Sequence, residues 1–207
     1  GTLSNTNALD LNNASSKLLL SSSITVGSVS TSADNSGLDV DQNSTVSSLT
    51  VAHTTPVSIA STKTLSGAIT VTAGSIKLGE AGTLGASVSM SGGTLDADET
   101  LTLSGALTQA GSITIDVAED KTLSYSGAAL NLGANTLTLS GGGTLSNTSY
   151  LVLNNASSKL LLSSSITVDR VSTSLASLGL DVDGDSTVTS LSVGHITPVS
   201  IASTKTL

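Results

Sequence analysis

TLSGAITVTAGSIKLGEAGTL, residues 64–84, contains one full period of the chain. Within it, Ala68-Ile69-Thr70-Val71 and Ser75-Ile76-Lys77-Leu78 alternate strictly. Alternation sends Ile, Val and Leu to one side of an extended backbone and Thr, Ser or Lys to the other. Gly and small polar residues punctuate the two runs as turns. The head of the period, Thr64-Leu65, then returns as Thr83-Leu84. Comparable heads stand at Thr2-Leu3, Ile24-Thr25-Val26, Thr45-Val46, Thr100-Leu101, Thr122-Leu123, Thr144-Leu145, Ile166-Thr167-Val168, Thr187-Val188 and Thr206-Leu207. No stretch has sustained helical spacing with caps, and β-branched residues favour extended backbone. The chain reads as all-β.

A period of about 17–22 residues holding two or three short strands predicts a β-solenoid. Each period makes one coil, and the next stacks on it in parallel about 4.8 Å further along the axis. One coil cannot bury its Leu and Val face, but stacked coils bury a continuous column. The drifting coil length favours a right-handed parallel β-helix over the left-handed hexapeptide form. The absence of a GGxGxDx nonapeptide argues against a calcium β-roll.

A longer repeat lies over the short one. Thr2 to Leu65 returns as Thr144 to Leu207 without a gap, with roughly three positions in four identical. The expected organisation is one continuous solenoid over 1–207. One long unit spans 2–143, about seven coils in 142 residues, and 144–207 begins a second as a near-copy of 2–65. Leu, Val and Ile persist between the copies, whereas Ala8 becomes Tyr150 and Ser28 becomes Arg170. Such a unit is duplicated length, with a structural or adhesive role expected ahead of a catalytic one.

Composition narrows the class further. About a third of the residues are Ser or Thr, with no Cys, Trp or Phe and a mean hydropathy of +0.30. The spaced apolar residues are too numerous for a disordered linker. The formal net charge of −8, with seven Lys and Arg, argues against nucleic acid and anionic lipid as partners. No apolar run approaches membrane-spanning length. Missing cysteines exclude a disulfide framework.

Tracts such as TLTLSGALTQAGSITID (100–116), TLSYSGAALNLGANTLTLSGGGTLSN (122–147) and LLLSSSITV (18–26) resemble the β-helical repeat regions of filamentous-haemagglutinin-like adhesins and autotransporter passengers. The resemblance is one of texture and covers the whole chain. It implies an extracellular or cell-surface rod on a bacterium, without implying a ligand.

Candidate chemistry is sparse. Acidic residues gather at the ends of coils: Asp39 and Asp41; Glu80; Asp96, Asp98 and Glu99; Asp116, Glu119 and Asp120; Asp181, Asp183 and Asp185. Stacked carboxylates would attract a divalent cation, so Asp181, Asp183, Asp185, Asp96, Asp98 and Glu99 are the candidate calcium ligands. Against this, Ser186 and Ser192 stand where a calcium loop needs Gly and Glu, and solvated turn charges are the commoner reading. His53 and His195 occupy equivalent places without a catalytic or metal partner in the sequence. Two Tyr and one Arg are poor material for a polysaccharide-degrading enzyme, so no catalytic residue and no cofactor is assigned. Thr-x-Thr pairs at Thr70, Thr100, Thr136 and Thr187 raise an ice-binding face, but they skip coils. The expected function is a stiff spacer or adhesin stalk, with a calcium-stabilised adhesive or ice-binding solenoid as the alternative. A ligand on a neighbouring cell and head-to-tail self-stacking of coils are the expected partners.

Overall fold

The computed structural model describes residues 1–5 and 7–207. All 25 strands pair in parallel and no helix occurs among these residues. They form a β-solenoid of about ten coils with two long sheets, one of fifteen strands and one of ten. A typical coil, such as that of residues 64–79, runs through Thr64–Val71 in the larger sheet and Ser75–Gly79 in the smaller. Elsewhere the first strand breaks in two, as at Thr83–Leu84 and Ser87–Met90. At the spacing of hydrogen-bonded strands, ten coils make a stack roughly 45–50 Å tall.

The core consists of like-on-like columns. In the smaller sheet, Ile76, Leu95, Ile115, Leu139, Leu162 and Val182 are all essentially inaccessible and follow one another coil by coil. In the larger sheet, Leu65, Leu84 and Leu103 continue into Tyr125 and then Asn147. Tyr125 is buried but satisfied: its hydroxyl accepts from Leu107 N at 3.2 Å and donates to Ala128 O at 2.6 Å. The Asn147 amide is buried against backbone groups of the next coil.

Burial here depends on the neighbouring coil more than on the residue. Leu49, Val51, Val57 and Ile59 are buried because the coil of residues 64–79 covers them. Their copies Leu191, Val193, Val199 and Ile201 lie in the last coil and are 38 to 56% exposed. The sequences match at these positions. Only the neighbour differs.

Register is where the structure departs from the spacing of the heads. Thr2, Thr25 and Thr45 stack as the sequence suggests, but Thr45 then pairs with Ser66, two residues beyond the head at Thr64. Thr83 likewise pairs with Thr102 and skips Thr100. Hydrogen-bonded partners therefore lie between 19 residues (Thr64 and Thr83) and 24 residues (Ile113 and Leu137) apart. Both slips are of two residues, which keeps every inward side chain inward; a slip of one would turn the strand inside out. In the smaller sheet, the column starting at Lys17 runs through Gly37, Pro56, Lys77, Asp96 and Asp116 to Ser140. Lys159, the copy of Lys17, lies instead beside Thr136, four residues earlier on that strand. The second copy thus stands about 13 Å along the strand direction from the hydrogen-bonded column of the first.

Gly67 sits at the first slip, opposite Val46, where the register changes before Leu49 pairs with Ile69. Its φ is +119°, and a Cβ there would overlap the Val46 carbonyl oxygen. Gly79 has ordinary backbone, and a Cβ would meet only Ser58 Oγ at 3.4 Å. Gly67→Ala should therefore lower unfolding free energy by about 2 kcal/mol or more, with Gly79→Ala close to neutral. Chemical denaturation of both variants checks the contrast.

Candidate functional surface

The outward faces show how this solenoid manages charge. Lys17 pairs with Asp39 at 2.7 Å, and their copies Lys159 and Asp181 at 2.8 Å. Neither pair is directly in register. Lys17 lies beside Gly37, so each lysine reaches across to the carboxylate two residues further along the next coil. Lys77 and Asp96 are directly in register and meet at 2.9 Å. Lys121 donates to Glu99 at 2.6 Å, and Lys205 lies 3.7 Å from Asp185. Each bridge joins consecutive coils along the axis.

These pairs decide what becomes of the candidate calcium ligands. Asp96 and Asp116 are direct neighbours in register, as the clustering of acids suggested. Their repulsion is relieved from both sides, because Lys77 pairs with Asp96 and the Ser140 hydroxyl donates to Asp116. Asp181 is held by Lys159, and Glu99 by Lys121. Asp185 accepts from the Thr206 amide at 3.1 Å and its hydroxyl at 3.2 Å. Asp98 and Asp183 are exposed at the ends of their strands. Among the described residues, no three acidic or His side chains converge as a metal site would require.

His53 and His195 are exposed in the turns between the two sheets, and their carbonyls accept from Thr55 and Thr197 hydroxyls at 3.1 Å. Pro56 is the second residue of its strand, Thr55–Ile59, and Pro198 immediately precedes Val199–Ile201, beside Gly37 and Gly179 respectively. The Thr-x-Thr pairs do not stack on one another. Thr70 lies beside Thr50 and Ser89, Thr102 beside Thr83 and Ser124, and Thr138 beside Thr114 and Leu161. The two register slips break the one head column that would have run the length of the rod.

Two features escaped the sequence reading. Asn5 and its copy Asn147 are lateral staples. Asn147 Nδ2 donates to Ser149 O at 2.7 Å and Arg170 O at 2.8 Å, and Asn147 Oδ1 accepts from the amides of Asp169 and Arg170. Asn5 repeats the pattern with Asn7 and Ser28. The equivalence of the two Asn-Thr dipeptides was visible in the chain, but the inward turn of the amide was not. The second is a shallow concavity of about 450 Å³ lined by Tyr150, Asp169, Arg170, Thr189 and Ser190, which come from three successive coils. In the sequence, Tyr150 and Arg170 are visible only as differences between copies.

Comparison with protein-family models, curated proteins and solved structures finds no match to this chain. The parallel β-solenoid therefore rests on the geometry above. The likeness to surface adhesins remains one of sequence texture.

Three side chains hold their protons more tightly than usual. The hydrogen bond and charge of Asp39 raise Lys17, and those of Asp96 raise Lys77. Burial raises Tyr125, with the Leu107 amide opposing. A group raised on folding adds stability that is complete below its unfolded pKa and lost as pH climbs through the folded one. Stability should thus hold through neutrality and fall above about pH 10, and a Tyr150→Phe chain should ionise Tyr125 later than free tyrosine in ultraviolet titration. Because lysines already pair with Asp96, Glu99, Asp181 and Asp185, the melting midpoint should be the same in calcium and in chelator. A rise in calcium would support the metal reading.

Proposed function

We propose that this chain is a stiff structural segment, a spacer or adhesin stalk, of a bacterial surface or secreted protein. The observation that carries the reading is the set of columns of buried aliphatic side chains, kept through a 64-residue repeat at an offset of 142 while other positions changed. Fifteen positions differ between 2–65 and 144–207, and none is a buried aliphatic residue in either copy. Selection on length and stiffness leaves that pattern, since each coil must match its neighbours inside and is free outside. Cross-coil lysine–carboxylate pairs add axial ties of modest individual value, each about 0–1 kcal/mol at the surface. No catalytic role is assigned. Calcium-assisted adhesion and ice binding lose ground to the lysine pairing and to the broken threonine columns.

Tandem chains of one, two and three 142-residue units should lengthen by a constant increment of about 34 Å per unit, at about 4.8 Å per coil. Negative-stain micrographs or small-angle scattering would measure it. A globule, or a length that does not scale with unit number, would overturn the spacer.

A further inference from the structure

Four of the fifteen differences between the two copies meet on one strip of the surface. Of the changed positions, Ala8/Tyr150, Gly27/Asp169, Ser28/Arg170 and Ser47/Thr189 supply four of the five residues lining the concavity over coils eight to ten. The first copy carries only small side chains at these places. The second has acquired a phenol, a carboxylate and a guanidinium on neighbouring coils, with threonine in place of a serine beside them. The aliphatic columns beneath are unchanged, so packing does not explain the set.

The acquired groups are arranged together. Arg170 stands over the Tyr150 ring with its guanidinium carbon 6.0 Å from the centroid, a cation–π contact that steadies a long side chain. Its guanidinium has no carboxylate within ion-pair distance among the described residues, in a chain where five of six lysines are so paired. Asp169 faces along the coils, accepting from Ser146 Oγ at 2.8 Å and from Thr189 Oγ1 at 3.4 Å. The buried amide of Asn147 ties the backbone of Asp169 and Arg170 to the turn leading to Tyr150, so the strip is fixed from below. A cation without a carboxylate partner, a carboxylate with spare lone pairs and two hydroxyls suit a ligand with an anionic group among many hydroxyls. The volume lies in the range of small-ligand sites.

From this we infer that the strip Tyr150–Asp169–Arg170–Thr189–Ser190 is a binding site for an acidic saccharide. Arg170 takes the sugar carboxylate in a two-pronged hydrogen bond, with Tyr150 holding the guanidinium in place. Asp169, Thr189 and Ser190 take the ring hydroxyls. The site is independent of the spacer reading, since the rod could lengthen regularly with or without a ligand on its side.

The test is calorimetric or NMR titration of the 207-residue chain at low salt with three probes: a hyaluronan tetrasaccharide, the uncharged tetramer of N-acetylglucosamine, and inorganic sulfate. The hyaluronan fragment should bind with a Kd of about 1 mM or tighter. Arg170→Ala should weaken it at least tenfold, and Asp169→Asn and Tyr150→Ala severalfold. The melting midpoint of the Arg170→Ala chain should stay unchanged, because that side chain is exposed. Binding below that strength, equal binding of the neutral tetramer, or binding indifferent to Arg170→Ala would overturn the site. Sulfate binding as tight as the saccharide would reduce it to an anion patch and overturn it equally. Installing Ala8→Tyr with Ser28→Arg in the first copy should raise the number of bound fragments. No gain there would overturn Arg170 and Tyr150 as the pair that anchors the ligand.

Discussion

Everything in this structure depends on parallel strand pairing between consecutive coils. The ladder satisfies the backbone of each coil with the backbone of the next, and it places equivalent side chains about 4.8 Å apart. Small aliphatic residues then make a dry column without the large cross-section of a globular core. The last coil shows the dependence directly, because Leu191 and Val193 are exposed where their copies Leu49 and Val51 are buried. Without aromatic bulk, a chain of Ser, Thr, Leu and Val stays folded by having neighbours.

The same ladder determines what the surface can be. A residue type repeated at one position becomes a row along the axis, so charge has to be managed row by row. The lysine–carboxylate pairs do this, each reaching from one coil to the next. In the Asp96–Asp116 step, Lys77 and Ser140 flank the two like charges. Function by repetition, as in an ice-ordering threonine face, would need rows that do not slip. Function by exception needs a place where one coil departs from the pattern, and the Tyr150–Arg170 strip is such a place.

Much of the architecture was legible in the chain. Alternation gave strand faces, and the recurring heads gave a coil of about twenty residues, because both follow from local covalent periodicity. Register was less legible. Thr45 pairs with Ser66 and Thr83 with Thr102, since any two-residue slip preserves the inward pattern and nothing in alternation distinguishes one from another. Gly67 marked the first slip in the sequence, but a glycine among twenty is a weak signal until the Val46 carbonyl is seen against it. The candidate site was legible only in part. Tyr150 and Arg170 stood out as differences between copies, while Asp169 and Thr189 joined them only when three coils were stacked.

The sequence by itself determined the class of fold, the facing of nearly every strand residue and the duplication, because each is a property of order along the chain. Tertiary structure alone decided which coil positions meet. It brought Lys17 to Asp39, turned Asn147 inward to bind the next coil, and set the second copy four residues out of column with the first. The physical reason is that contacts between coils join residues some twenty positions apart, at offsets fixed by turns and bulges whose lengths vary. Periodicity fixes which way a side chain points; only the stack fixes what it touches.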